Sequence, residues 1–345
     1  MKTSFFSRAA RQRFLTATAI ALTLPILAPL APAQAQQLNG AGATFPLAIY
    51  TKWFDVYRQQ TGVAINYQGV GSGAGIKQLK ANTVDFAGSD APLSNADLTT
   101  MPGKVMQIPT VAGSVAIAYN LRGVGSGLKL TGPVIANIFS GQITKWNDAQ
   151  IASLNPGVAL PAQGITIAHR SDGSGTTNIF TSYLSAVSPS WKGKIGAGKS
   201  VDWPVGLGGK GNDGVAAIIK GSNGTIGYVE LAYASQNRLP VASVRNRSGK
   251  FVVPTVATTT AAALGASKAT AKDPRAPIFN QGGNAYPIAG YTFMMYYASK
   301  ANTPNGKQLN RFLKWAMGPG QKYAAGLQYA PLPRPVVLSN NSRLR

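Results

Sequence analysis

The chain has 345 residues, with 33 Lys+Arg against 10 Asp+Glu, a formal net charge of +23, one histidine and no cysteine. These counts exclude a disulfide framework, a zinc ribbon, an iron–sulfur site, a thiol nucleophile and any two-histidine metal centre. Hydrophobic residues at 45% and charged residues at 12% fit a globular chain, and the length fits about two domains.

In chain order, residues 1–13 carry Lys2, Arg8, Arg11 and Arg13 and no acid. Phe14 to Leu30 is apolar or small, and Ala33-Gln34-Ala35 is a small-x-small pattern. This reads as a secretory signal peptide over 1–35, cleaved before Gln36. The apolar stretch is short and holds Pro25 and Pro29, which argues against a membrane anchor, since a spanning helix needs about 20 residues. Removal of four positives lowers the net charge to +19. The remaining positives are scattered, with no run of five or six, so a basic surface is favoured over a nucleic-acid site.

Residues 46–60 read as a helix, with Pro46 in its first turn, Tyr50, Trp53, Phe54 and Tyr57 on one face, and Gly62 after its end. Residues 63–70 alternate as a strand, 76–82 as a short helix and 84–88 as a strand. Two more strands are expected at 105–111 and 114–119, a helix at 133–139, a strand at 165–170 and a helix at 177–187. Strands follow at 225–229 and 291–297, and an amphipathic helix at 304–317. Residues 247–285 are rich in Ala, Thr and Gly and read as a variable helix-and-loop segment. Strands alternating with helices give the class α/β.

Three small-residue loops fall at strand ends or helix starts: Gly40-Ala-Gly-Ala-Thr-Phe45, Gly69-Val-Gly-Ser-Gly-Ala-Gly75 and Arg170-Ser-Asp-Gly-Ser-Gly-Thr176. Such loops let backbone N–H groups approach a ligand, and a helix N-terminus adds unpaired donors and a positive dipole end. Each alone reads equally as a helix cap; three together, one with an arginine, point to an anion site. Two motif matches are set aside. Gly193-Lys-Ile-Gly-Ala-Gly-Lys-Ser200 fits the P-loop pattern, but no strand is expected before it and Pro204 blocks a helix after it. Lys199 is therefore expected to have no part in anion binding. Gly69-x-Gly71-x-x-Ala74, with Asp90 further on, fits a dinucleotide fingerprint, but the helix after it is short. His169, Asp172 and Ser174 carry triad chemistry but crowd into one turn, and no G-x-S-x-G elbow occurs. Alternation along its strand turns His169 away from Arg170, as a structural histidine.

At these loops the sequence resembles the periplasmic phosphate-binding proteins of bacterial ABC transporters. The resemblance rests on Gly40-Ala-Gly-Ala-Thr-Phe-Pro46, Tyr67-Gln-Gly-Val-Gly-Ser72, Ala81-Asn-Thr-Val-Asp-Phe86, Ser89-Asp-Ala-Pro-Leu-Ser94, Asp172-Gly-Ser-Gly-Thr176, Gly206 to Gly214 and Gly224-Thr-Ile-Gly-Tyr-Val-Glu230. It implies two α/β lobes with the ligand in the cleft between them, lobe one as 36–112 plus 290–345 and lobe two as 113–289. It implies phosphate contacts from Ala43, Thr44, Phe45, Ser72, Asp90, Arg170, Ser174, Gly175 and Thr176, with Asp172 orienting Arg170. It implies an exported, monomeric protein of the periplasm that captures inorganic phosphate for an inner-membrane ABC permease, catalyses no reaction and needs no cofactor or metal. Asp90, a carboxylate facing an anion, then has a physical use. Phosphate keeps a proton near neutral pH and sulfate does not, so an ionised Asp90 accepts from the first and repels the second. The alternatives are a secreted phosphatase on this scaffold and a binder of another oxyanion or a phosphate ester. The sequence departs from the family's pattern at His169, at Gly73-Ala74-Gly75, and in its strongly basic, glutamate-poor composition.

Overall fold

The structure, a computed structural model, describes residues 37–344; the signal peptide expected over 1–35 lies outside the described residues. In chain order the first elements are β1 (Gln37–Gly42), α1 (Leu47–Thr61), β2 (Ala64–Gly69), α2 (Ser72–Lys80), β3 (Phe86–Ser89) and α3 (Asn95–Thr99). Helix α1 buries Ile49, Tyr50, Trp53, Phe54, Val56 and Tyr57 and ends at Gly62, whose φ of 76° returns its N–H to the Arg58 carbonyl. There follow β4 (Val105–Asn120), β5 (Lys129–Leu130), α4 (Gly132–Phe139), α5 (Ala149–Ala152), β6 (Thr166–Arg170), α6 (Gly175–Val187) and α7 (Pro189–Lys194). Then come β7 (Leu207–Gly209), α8 (Gly211–Gly221), β8 (Thr225–Glu230), α9 (Leu231–Gln236), β9 (Ser243–Arg245) and β10 (Phe251–Val252). The last are α10 (Val256–Gly265), α11 (Ser267–Lys272), β11 (Ala289–Tyr297), α12 (Pro304–Met317) and α13 (Arg334–Arg343), with short 3-10 turns between Ala298 and Leu327.

Eight strands form one sheet in the order β2-β1-β3-β11-β4-β8-β6-β7, and β10-β9-β5 form a small second sheet. The 16 residues of β4 tie the large sheet together. As far as Ser114, β4 pairs antiparallel with β11; from Val115 onward it pairs antiparallel with β8. On one side of it β1 runs parallel to β2 and β3, and on the other β6 runs parallel to β7 and β8.

Two separate strands were expected where β4 runs unbroken. Pro109 and Gly113 interrupt the alternation there, but the register with β11 slips between Thr292 and Phe293, so that Pro109 sits at an irregularity where a missing N–H is tolerated. Gly113 is small because a Cβ there would meet the Phe45 ring at 2.4 Å. The segment 247–285, weakly patterned in sequence, holds β10, α10 and α11. Helix α10 opens with a capping box between Thr255 and Thr258. It packs on β4 and β11, and α11 packs on α13.

Candidate functional site

The parallel strands on each side of β4 deliver their C-terminal ends to one place. Gly42 at the end of β1 stands level with Gly69 of β2 and Gly88 of β3. A Cβ on Gly42 would come within 2.0 Å of the Gly88 carbonyl, so these ends close up only because they lack side chains. Loop 43–45, Ser72 and Asp90 follow directly from β1, β2 and β3. From the other side β6 ends at Arg170, and the loop after it enters α6 at Gly175. The two sides touch through backbone: Gly73 N–H donates to the Gly173 carbonyl at 2.8 Å, and a Cβ on Gly175 would lie 2.6 Å from the Asp90 carboxylate.

Four of the buried hydroxyls in this region have an oxygen that already accepts from the protein. Thr44 Oγ1 accepts from the Asn212 amide N–H at 3.2 Å and from Asn212 Nδ2 at 2.9 Å. Ser72 Oγ accepts from Gly175 N–H at 3.0 Å and, at 3.4 Å, from Asp90 N–H. Ser174 Oγ caps α6 by accepting from Thr177 N–H at 3.1 Å. Thr176 Oγ1 accepts from Arg170 and from Asn212 Nδ2, both at 3.3 Å. A hydroxyl whose lone pairs are engaged in this way keeps its O–H for donation. Among the described residues no acceptor takes the N–H of Thr44, Phe45 or Thr176. Donors without acceptors in a buried place mean an anion.

Arg170 is the cation, 4% exposed. Its Nε and Nη2 hold both Asp172 oxygens at 2.7 and 2.6 Å, a bidentate pair. Asp172 also accepts from Gly211 N–H at 3.0 Å. Burial alone would raise the Asp172 pKa; the Arg170 hydrogen bonds and charge and the Gly211 amide outweigh it and hold it below the ordinary carboxylate value. Asp172 is thus a fixed negative charge that neutralises most of the arginine's field.

Asp90 is 3% exposed. Its Oδ1 accepts from Thr292 Oγ1 at 2.8 Å. Burial pushes its pKa up to about 7; the Thr292 bond and the Arg170 charge pull the other way without cancelling it. Glu230, the one glutamate of the sequence, ends β8 and is also fully buried. It caps α9 by accepting from Ala232 N–H at 2.7 Å, and burial raises its pKa well above the usual range. The site therefore carries no net positive charge to match the +23 of the chain. Directed donors, rather than net charge, hold whatever binds there. Among the described residues no group of three or more His, Asp or Glu is placed to hold a metal ion.

The structure brings Ala43, Thr44, Phe45, Ser72, Asp90, Arg170, Asp172, Ser174, Gly175 and Thr176 into one network. Two of them enter differently from the sequence-based expectation. The Ala43 N–H is engaged by the Gly88 carbonyl at 2.9 Å, and the Gly175 N–H by Ser72. Their part is close approach, with the donors supplied by their neighbours.

A family model described as a PBP superfamily domain matches residues 28–319. The phosphate-binding protein PstS of Xylella fastidiosa strain 9a5c is 46% identical over 299 residues, which cover 86% of this chain and 82% of that one. PstS of Pasteurella multocida is 44% identical over 306 residues, covering 88% of each. The chain belongs to the phosphate-binding protein family. Among solved structures, a high affinity periplasmic phosphate-binding protein (PfluDING) bound with phosphate matches with a TM-score of 0.72 at 25% identity, covering 89% of this chain and 93% of that one. A putative phosphate ABC transporter substrate-binding protein with bound phosphate from Clostridium perfringens matches in fold alone, with a TM-score of 0.63 at 15% identity, covering 86% of this chain and all of that one. The fold is accordingly the two-lobed α/β fold of periplasmic binding proteins.

Sequence reasoning missed several members of this phosphate-binding protein's site. Asn212, wholly buried in the first turn of α8, holds Thr44, Thr176 and, through Oδ1, Glu230 N–H at 3.0 Å. Its signal was a polar amide at the start of a helix after glycines. Thr292 sits inside an apolar strand and carried no signal. Tyr228 accepts from Arg170 N–H at 3.1 Å and shares a 2.7 Å bond with Thr177. His169 stacks on Trp203 with ring centroids 4.9 Å apart, and its Nδ1 lies 3.1 Å from the Arg170 backbone carbonyl rather than near the guanidinium's partners.

Proposed function

We propose that the protein is an exported, monomeric binding protein of the periplasm that captures one inorganic phosphate and delivers it to an inner-membrane ABC permease. Its lobes are 36–112 plus 290–345 and 113–289, a division supported by the change of partner along β4 at Ser114/Val115. The amides of Thr44 and Phe45 and the hydroxyls of Thr44, Ser72, Ser174 and Thr176 donate to the phosphate oxygens. Arg170 adds charge-assisted bonds, Asp172 orients it, and Ala43 and Gly175 line the site. It is a binding protein, with transport rather than chemistry as its task, and its relatives are named for phosphate binding.

The observation that carries this reading is Asp90, a carboxyl 3% exposed that lies against Gly175 at the start of α6 and is held by Thr292 Oγ1 at 2.8 Å. An anion that brings a proton meets a carboxylate able to accept it. An anion without one meets like charge in a desolvated place, where such repulsion is costly. The test is a thermal melt of protein stripped of bound ligand. Phosphate should raise Tm by mass action, and equal sulfate should not. A melt indifferent to phosphate would overturn the reading.

A further inference from the structure

Three consecutive carbonyls of the anion-facing loop are each taken by a tyrosine hydroxyl, and the Thr44 carbonyl also accepts from Leu47 N–H at 3.1 Å. Tyr67 of β2 donates to the Ala43 carbonyl at 2.9 Å, Tyr233 of α9 to the Thr44 carbonyl at 2.8 Å, and Tyr329 to the Phe45 carbonyl at 2.6 Å. The peptide group is planar and trans, so a carbonyl and the N–H of the same peptide point in opposite directions. The Ala43 carbonyl shares its peptide with Thr44 N–H, and the Thr44 carbonyl with Phe45 N–H. The Phe45 carbonyl is joined to Pro46, which has no N–H.

On the phosphate reading above, we propose that Tyr67 and Tyr233 are positioning residues. By holding two carbonyls on the inner side, they keep the Thr44 and Phe45 N–H groups aimed at the anion. A peptide flip in a loop of small residues would present a carbonyl to the phosphate in place of a donor. Each hydroxyl opposes that flip and polarises its amide into a stronger donor.

The surroundings are arranged for this contact. The Tyr67 hydroxyl passes over Gly88, where a Cβ would stand 2.1 Å from the phenol oxygen. Gly88 in turn takes the Ala43 N–H, so both ends of that peptide run are fixed. Burial raises the pKa of all three phenols, which keeps each a donor at any physiological pH. Tyr233 reaches loop 43–45 from the β8 side of β4, as Asn212 does. Its contact therefore exists only while the two sides are together, and its loss should speed phosphate release.

Tyr329 supplies the control, since it makes the same bond to a peptide that has no N–H to aim. The experiment is titration calorimetry of Tyr67→Phe, Tyr233→Phe, Tyr329→Phe and Arg170→Ala, with melts of each stripped protein and amide NMR shifts of Thr44 and Phe45. Tyr67→Phe and Tyr233→Phe should each lose about tenfold in phosphate affinity, and the bound-state Thr44 and Phe45 amide protons should move upfield. Tyr329→Phe should lower the melt comparably and leave affinity within twofold. Should Tyr67→Phe fail to fold, site-specific fluorotyrosine at 67, a stronger donor, should tighten binding instead. Tyrosine variants with wild-type affinity beside a weak Arg170→Ala would overturn the positioning role, as would an equal loss in Tyr329→Phe. An Arg170→Ala protein that binds like wild type would instead overturn the phosphate site itself.

Discussion

Two glycine-rich loops lie side by side in this molecule, joined by a 2.8 Å bond from Ser174 N–H to the Lys199 carbonyl. Both contain glycine, serine and a cation, and both fit an anion-binding pattern in sequence. Arg170–Thr176 leads into the start of α6, where N–H groups are unpaired and the dipole end is positive. Gly193–Ser200 leads out of α7. There the N–H groups of Ile195 and Gly196 both fold back onto the Trp191 carbonyl at 2.9 Å, and Gly196 takes a φ of 79°. A helix C-terminus presents carbonyls and negative partial charge, which Lys192 and Lys194 in its last turn complement. The next helix, α8, begins at Gly211. Similar small-residue loops at opposite helix ends have opposite electrostatics, so a glycine pattern carries meaning only with the polarity of its helix.

The largest test of that contrast is Arg170→Ala. It removes the buried cation of the first loop and leaves the half-buried Asp172 carboxylate uncompensated beside the anion, a loss on the order of 3–5 kcal/mol. Calorimetry should show phosphate affinity down by about two to nearly four orders of magnitude, and a loss within threefold would place the anion elsewhere. Alanine in place of glycine makes the second test. At Gly175 the new Cβ would meet Asp90 atoms at 2.6 Å, between two fixed backbones. At Gly193 it would meet nothing within 4 Å. Gly175→Ala should weaken phosphate by roughly ten- to a hundredfold, the cost of overpacking, about 1–3 kcal/mol. Gly193→Ala should bind as wild type.

Legibility followed the same line. The loops that start helices were readable, because small residues beside Ser, Thr and Arg have few other uses, and the resemblance put them in one family. The class α/β and elements such as α1, β6, α6, β11 and α12 were readable from periodicity, whereas α7, α8, α9 and the short strands β5, β7, β9 and β10 were not. β1 was not, since Gln37-Leu-Asn-Gly-Ala-Gly42 has strand geometry but almost no strand composition. The continuity of β4 was hidden by Pro109 and Gly113, whose reasons lie in β11 and in Phe45. Asn212 and Thr292 act on residues 168 and 202 positions away, and no local pattern encodes that. The bond from the Ser174 amide to the Lys199 backbone carbonyl had no signal in the sequence either.

Asp90, which faces Gly175 of the first loop from the end of β3, sharpens the comparison. Asp90→Asn removes a charge-assisted bond of about 1.5–3 kcal/mol to phosphate, partly offset by the charge repulsion that goes with it, so affinity should fall about tenfold. Sulfate should gain, because the amide can donate to an unprotonated anion. The pH dependence has a definite sign. With its pKa raised to about 7, Asp90 becomes a donor as pH falls through 7, so sulfate should compete better at pH 5 than at pH 8 in the wild type. In Asp90→Asn that trend should shrink to the part caused by phosphate's own ionisation near neutral pH. The raised pKa also means that the folded protein binds a proton the unfolded chain releases between about pH 4 and 7. Stability of the phosphate-free wild type should therefore fall as pH rises through that window, relative to Asp90→Asn. An unchanged phosphate-to-sulfate preference in the variant would make Asp90 a structural residue.

The smallest effect is expected at the loop that only looks like a phosphate binder. Lys199 Nζ lies 3.7 Å from Asp97 Oδ2 of α3, and the side chains are 28% and 39% exposed. Exposed pairs of this kind contribute about 0–1 kcal/mol and are screened by salt. The pair still joins the loop beside Ser174 to the segment after Asp90, so it favours the arrangement in which both sides of the site are together. Lys199→Ala keeps the backbone carbonyl that holds Ser174, and removes the charge alone. Phosphate affinity should fall by at most about threefold in low salt, and wild type and variant should become equal near 0.5 M salt, where the Debye length is only about 4 Å. Asp97→Asn should give the same small loss and the same salt dependence, and the double variant should lose no more than either single one. No ATP binding should be detectable in any of them. A loss that persists in high salt would mean that Lys199 touches the anion directly, and saturable ATP binding abolished by Lys199→Ala would restore the P-loop that the helix polarity argues against.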